Sequence, residues 1–171
     1  MKIEFNEDMK EIFDEFMVEA EEILENLDQE LVELENDPSN KELLNQIFRG
    51  MHTLKGGAGF LGLSTLIELS HMIESIFDKL RNDEMELDSD KMDIILEGID
   101  ILKNGIMMLK ESHEIPDKED IEDILRKLED LLNEKDVSYS NSTQDKNQKD
   151  SNQEKNSSNE KEEYEIIFKE E

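Results

Sequence analysis

The residues of this chain that can do chemistry gather in one short stretch. His52, Lys55 and four glycines fall within the run His52-Thr53-Leu54-Lys55-Gly56-Gly57-Ala58-Gly59-Phe60-Leu61-Gly62. Around them Leu44, Ile47, Phe48, Met51, Leu54, Ala58 and Leu61 recur at three- and four-residue steps, the period of an amphipathic helix. A glycine inside a helix is disfavoured by roughly 1 kcal/mol relative to alanine, so Gly56, Gly57 and Gly59 imply a need for the missing side chains. His52 lies far round the helix from the centre of the apolar stripe, and Gly56 falls one turn further along on the same side. The sequence therefore predicts an imidazole facing solvent with uncovered backbone beside it.

The charge pattern singles out the same place. The chain carries a net charge of -28, yet no acidic residue falls between Glu42 and Glu68, while Arg49 and Lys55 do. One reading is that a helix facing a core carries few charges; the other is a surface kept tolerant of an incoming phosphate. Lys55, one turn beyond His52, can reach a phosphoryl oxygen and offset part of its roughly -2 charge. Arg49 points further round the helix and reads as a surface residue.

A carboxylate partner for the histidine follows from spacing. If the helix containing His52 turns back near Leu63, His52 and Glu74 stand at about the same height on neighbouring helices. His71 lies one turn from Glu74 on the same face. A carboxylate bonded to one ring nitrogen fixes the tautomer and frees the lone pair of the other, as a nucleophilic imidazole requires. The alternative for Glu74 is a partly exposed helix carboxylate in an ordinary salt bridge. A metal site is the weaker reading of this region. Glu68-Leu69-Ser70-His71 has the Glu-x-x-His spacing of di-iron bundles, but such a site needs a second copy, and His113 is preceded three residues earlier by Lys110. His113 reads as a loop residue near a helix end, and no metal is expected.

The elements that must position these residues are all helical. Met9, Ile12, Phe13, Phe16, Ala20, Ile23, Leu24, Leu27, Leu31 and Leu34 form one long stripe with Glu and Asp opposite, ended by Pro38. Ser39 or Asn40 can cap the next helix, from about Lys41 to Leu61, with Gly62 suited to a left-handed C-terminal position. Thr65 and Glu68 have the spacing of a capping box opening a third helix, with Leu66, Leu69, Ile73, Ile76, Phe77 and Leu80 inward. Asp88 can cap a fourth, striped by Met92, Ile95, Leu96, Ile99, Leu102, Ile106 and Leu109 and weakened only locally by Gly98 and Gly105. Pro116 and Asp117 open a fifth with Ile121, Ile124, Leu125, Leu128 and Leu131. No strand-like alternation occurs in residues 1–135. The fold class expected is all-α: an antiparallel up-down bundle of four helices with a fifth attached at its C-terminal end.

Composition then limits what the bundle can do. With 171 residues, 35% of them hydrophobic, and no long apolar run, the chain has room for one modest core and shows no membrane span or signal peptide. A soluble, cytoplasmic protein is expected. The absence of cysteine excludes disulfides and thiolate chemistry. The strong negative charge argues against nucleic acid and anionic membranes as partners. Residues 136–163 collapse into Ser, Asn, Gln and charge, so a flexible, disordered linker is expected after a domain spanning 1–135. Residues 164–171 regain β-forming side chains and read either as the first strand of a following domain or as a terminal remnant.

The run from Phe48 to Gly62, with His71-Met72-Ile73-Glu74 downstream, resembles the histidine phosphotransfer (HPt) domain at the N-terminus of CheA-type chemotaxis histidine kinases. The resemblance covers about residues 6–132. It implies that His52 is the phosphoacceptor, Glu74 the tautomer-fixing carboxylate, and Lys55 and His71 members of a supporting polar cluster. It further implies phosphorylation from ATP by a separate kinase domain, which uses ATP and Mg, with no cofactor held by this chain. Transfer to response regulators of the CheY and CheB type would follow, and the linker would lead to a regulator-docking domain. The chain shows no nucleotide-binding motif, so it is expected to be substrate and donor, not the ATP-binding catalyst. The competing class is a structural helical bundle in which the glycines only permit close packing and His52 is incidental.

Overall fold

The computed structural model describes residues 1–134, and five helices account for most of them. They are α1 (Glu7–Asn36), α2 (Lys41–Phe60), α3 (Ser64–Arg81), α4 (Ser89–Ser112) and α5 (Lys118–Asn133). Helix α1 packs on α2, α2 on α3, α3 on α4 and α4 back on α1, which closes the four-helix ring; α5 lies against α3 and α4. The α2–α3 interface is the most extensive of these. Short connections force each helix to run back beside its predecessor, so the architecture is the expected all-α, up-down bundle. Among the described residues the only extended pairing is an isolated bridge between Lys2 and Glu114. The linker expected at 136–163 and the strand expected at 164–171 lie outside the described residues.

Helix boundaries follow from local chemistry. Asn6 accepts a hydrogen bond from the Met9 backbone N–H and so starts α1, Asn40 accepts from Leu43 and starts α2, and Asp88 accepts from Lys91 and starts α4. Each satisfies one of the amide donors that a helix N-terminus leaves without an internal partner. Asp117 and Asp120 form a reciprocal capping box at α5. The capping box expected from Thr65 and Glu68 does not form. Helix α3 begins at Ser64 with Leu63 as its uncapped N-terminal residue. Thr65 is buried instead, and its hydroxyl donates to the Pro116 carbonyl at 2.7 Å, a bond that ties α3 to the α4–α5 connection. A buried hydroxyl must find an acceptor, and a long-range carbonyl outcompeted the local amide.

The core is the set of inward stripes, with deviations of half a turn. Phe13, Phe16, Ala20, Leu24, Leu27, Leu31 and Leu34 are buried as expected, whereas Ile12 and Val18 face solvent and Met17 is buried. Gly105 has a larger part than a local weakening of α4. A Cβ there would sit 2.6 Å from Leu66 Cδ2, so its absence lets α3 and α4 approach. Residues 1–5 form an anchor for which the sequence gives little signal. The Ile3 N–H donates to the His113 carbonyl, the Ile115 N–H donates to the Met1 carbonyl, and the Phe5 ring packs 4.6 Å from Phe13. His113 caps α4 with a left-handed φ of 54°, its ring set edge-on to Phe5 and Phe13.

Candidate functional site

Helix α2 ends in a way that fixes the glycine-rich run. Gly62 adopts φ 68°, its N–H donates to the Gly59 carbonyl, and the Leu63 N–H reaches back to the Ala58 carbonyl. These are the paired bonds of a Schellman motif, which a left-handed glycine makes without strain. Upstream the three remaining glycines divide into two kinds. A Cβ on Gly57 would meet the Phe16 ring at 2.5 Å, so Gly57 allows α2 to lie close against α1. Gly56 and Gly59 have nothing within 4 Å of where a Cβ would be. They leave open backbone on the side where His52 lies.

The His52 side chain is 65% exposed, one helical turn before Gly56. Across the α2–α3 interface its Nδ1 stands 3.4 Å from Glu74 Oε2. The other carboxylate oxygen, Oε1, accepts a hydrogen bond from Lys55 Nζ at 3.0 Å. Glu74 is buried, with its side chain only 9% exposed, so the alternative of a partly exposed surface carboxylate is excluded. Its Oε2 is also buried and makes no hydrogen bond. A buried carboxylate oxygen left without a donor is unfavourable, and the imidazole at 3.4 Å is the group placed to relieve it. Nδ1–H of the ring is the donor that faces that oxygen; such contacts are commonly loose before a reaction partner arrives.

Lys55 is placed differently from the expectation that it reaches toward a phosphoryl oxygen. Its side chain is 17% exposed and its ammonium lies on Glu74, which holds the carboxylate with Oε2 turned toward His52. Helix α3 carries the pair because Glu74 shares the inward face with Ser70, Ile73 and Phe77, while His71 is exposed three residues earlier. Arg49 is exposed, as expected. Among the described residues no group of three or more His, Cys, Asp or Glu could hold a metal ion.

Phe48, beside His52, and Arg81, behind Phe48, carry a signal that spacing and charge alone did not bring out. Phe48, expected in the inward stripe of α2, is only half-buried, and its ring stacks on that of His52 with centroids 6.1 Å apart and planes 17° from parallel. The Arg81 guanidinium lies 3.6 Å from the Phe48 ring centroid. The position of Phe48 four residues before His52 was the available clue, since such pairs share a helix face.

Comparison with known proteins gives a consistent result. The chain is 44% identical over 81 residues to the sensor histidine kinase CheAY of Helicobacter pylori, covering 47% of this chain and 10% of that protein. It thus spans about a tenth of the length of the curated relatives it matches. The solution structure of the histidine phosphotransfer domain of CheA superposes with a TM-score of 0.64 at 34% identity, covering 82% of this chain and 99% of that domain. The phosphorylated P1 domain of CheA3, solved in complex with CheY6 from R. sphaeroides, shares the fold with a TM-score of 0.64 at 22% identity, covering 70% of this chain and 94% of that one. The family model for the Hpt domain matches residues 11–105, the segment that holds α2, α3 and the His52–Glu74 pair between them. The chain belongs to the Hpt domain family.

Proposed function

We propose that His52 is a phosphoacceptor and phosphodonor in a chemotaxis two-component pathway, charged from ATP by a separate ATP-binding kinase domain and discharged to response regulators. The observation that carries this reading is the exposed imidazole set against a buried, lysine-held carboxylate that has one oxygen unpaired on the histidine side. With Nδ1–H directed at Glu74, the lone pair on Nε2 is free to attack the γ-phosphorus of ATP. The Nε2–P bond forms as the bond from the γ-phosphorus to its bridging oxygen breaks, and ADP leaves. The ring is then cationic, and the Glu74 carboxylate offsets that charge. In the second transfer a carboxylate oxygen of the acceptor attacks phosphorus, the Nε2–P bond breaks, and its electron pair returns the ring to the neutral form. Lys55 acts by orienting Glu74, and His71 belongs to the same polar region of α3.

The relatives support this choice of partners. The matched proteins are histidine kinases and chemotaxis proteins many times longer than this chain, which supports a kinase domain elsewhere as the phosphoryl source, with ATP and Mg bound there. The CheA3 P1 domain was solved with CheY6, which supports a CheY-type regulator as acceptor; a CheB-type regulator has the same chemistry. The cytoplasm is the compartment where these would meet, and among the described residues no helix is long and apolar enough to cross a membrane. The experiment is phosphorylation of the chain by a CheA kinase core with labelled ATP. Acid-labile, base-stable label is expected in the parent and none in His52→Gln; label persisting in that variant would move the site elsewhere.

A further inference from the structure

We infer that Phe48 and Arg81 are positioning residues that fix the plane of the His52 ring; this rests on the phosphoacceptor reading of His52. The need arises from geometry. A hydrogen bond at Nδ1 alone lets an imidazole swing about the line from nitrogen to oxygen, and His52 is exposed enough to do so. Swinging moves Nε2, the atom that must meet phosphorus in line. A flat group against one face of the ring removes that freedom. Phe48 provides it from one helical turn earlier, with planes 17° from parallel and a centroid separation inside the range of aromatic pairing.

Phe48 is in turn held from α3. The Arg81 guanidinium covers its ring at 3.6 Å, well within cation–π range. Arg81 is itself fixed: Nε donates to Asp78 Oδ1 at 2.9 Å, Nη2 pairs with the same oxygen at 2.7 Å, and Nη1 donates to Asn45 Oδ1 at 3.4 Å. A planar, always-charged guanidinium suits this stacked position in a way that a lysine would not. Helix α3 therefore acts on His52 by one direct contact and one indirect contact. Glu74 sets which nitrogen is free, and Arg81, acting through Phe48, sets where that nitrogen points. The plainer account of the Phe48–His52 pair is an ordinary one-turn contact that stabilises α2. The two accounts differ in what a substitution changes: stability in the plain account, ring order and rate per folded molecule in ours.

The test compares the full chain with Phe48→Leu, Phe48→Tyr and Arg81→Gln. Initial phosphorylation rates by a CheA kinase core are measured beside carbon relaxation of the His52 ring and urea midpoints. Phe48→Leu keeps an apolar side chain and good helix propensity, and it is expected to slow labelling about 3- to 10-fold per folded molecule while the ring order falls. Phe48→Tyr should restore both, and Arg81→Gln should show a loss of about 2- to 3-fold with lower order in both rings. Parental labelling and parental ring order in Phe48→Leu would overturn the inference, as would a slower rate that only tracks the folded fraction. Failure of the parent to take label would overturn the phosphoacceptor reading itself, and this inference with it.

Discussion

Replacing Glu74 by Gln tests the centre of the site, because the two residues have the same shape and differ in charge and in one donor group. The amide of the Glu74→Gln variant would keep its carbonyl oxygen toward Lys55, since the ammonium at 3.0 Å can only donate. Its nitrogen then faces His52, where Oε2 of Glu74 now stands 3.4 Å from Nδ1. Two donors cannot face each other, so the ring is expected to shift its proton to Nε2 and accept at Nδ1. The proton would then sit on the nitrogen that must attack. Comparable loss of an orienting carboxylate at metal-bound histidines costs about 10- to 100-fold, and a drop of that order is expected in phosphorylation rate. For stability, a bond between two charged groups becomes one from the Lys55 ammonium to a neutral carbonyl, a difference of about 1 kcal/mol. Removing one partner from a fully buried pair costs about 3–5 kcal/mol, but Lys55 can extend its ammonium to water along its flexible stem. A net loss of about 1–2 kcal/mol is expected. Nitrogen NMR of His52, initial labelling rates and urea unfolding read the three quantities. A ring still protonated on Nδ1 that labels at the parental rate would refute the role given to Glu74.

The other predictions concern the helix that carries His52 and the cap of α4. Gly56→Ala should raise stability by up to about 1 kcal/mol, since the added methyl meets nothing. Gly57→Ala should lower it by about 0–2 kcal/mol, because crowding of about 1–3 kcal/mol against Phe16 exceeds the same gain in propensity. Urea midpoints moving in the same direction would contradict the division of the glycines. Gly56→Leu should slow phosphorylation without destabilising the bundle, by covering the approach to His52. Asp88 has its pKa lowered first by the Lys91 backbone N–H and then by the Lys91 side chain. A lowered folded pKa means that its contribution is present above the unfolded value near 4 and is lost as the pH falls through the folded value. Asp88→Ala should therefore cost about 1 kcal/mol at neutral pH, with parent and variant converging in acid. A difference that persists in acid, once the Asp88 carboxyl is protonated in the folded state, would argue against the cap.

Much of the fold was legible because helix signals are local. The stripes of α1, α3, α4 and α5, the caps Asn40, Asp88 and Asp117, and the left-handed Gly62 each depend on residues within a turn or two of one another. What escaped depends on contacts distant in sequence. Thr65 looks like a cap until the Pro116 carbonyl is beside it. Gly105 looks incidental until Leu66 packs where its Cβ would be. The same distinction runs through the site. The spacing about Leu63 placed His52 opposite Glu74, since a helical hairpin makes height a matter of counting. Burial of Glu74, the turn of Lys55 toward it and the cover of Phe48 by Arg81 depend on how closely α2 and α3 pack. Spacing alone does not show that.

In the proposed function one histidine serves two reactions, and the distribution of order around His52 bears on how it would do so. The groups that must hold still, Glu74 and Lys55, lie on the buried side between α2 and α3. The groups that must be approached lie on the other side: open backbone at Gly56 and Gly59, and the Phe60 side chain, 67% exposed at the end of α2. A walled pocket would be shaped to one reactant, and the transferring enzyme would have to supply fewer walls of its own. An exposed ring with a fixed tautomer imposes almost no shape on its visitor. On the proposed function, the walls and the in-line geometry would come from whichever protein docks, so a kinase domain and a regulator could each bring their own. The consequence for this chain is that its ring has to be oriented from behind. On that account the contacts at Nδ1 and on the ring face, rather than any groove at Nε2, are where substitutions in this chain should be felt by both reactions alike.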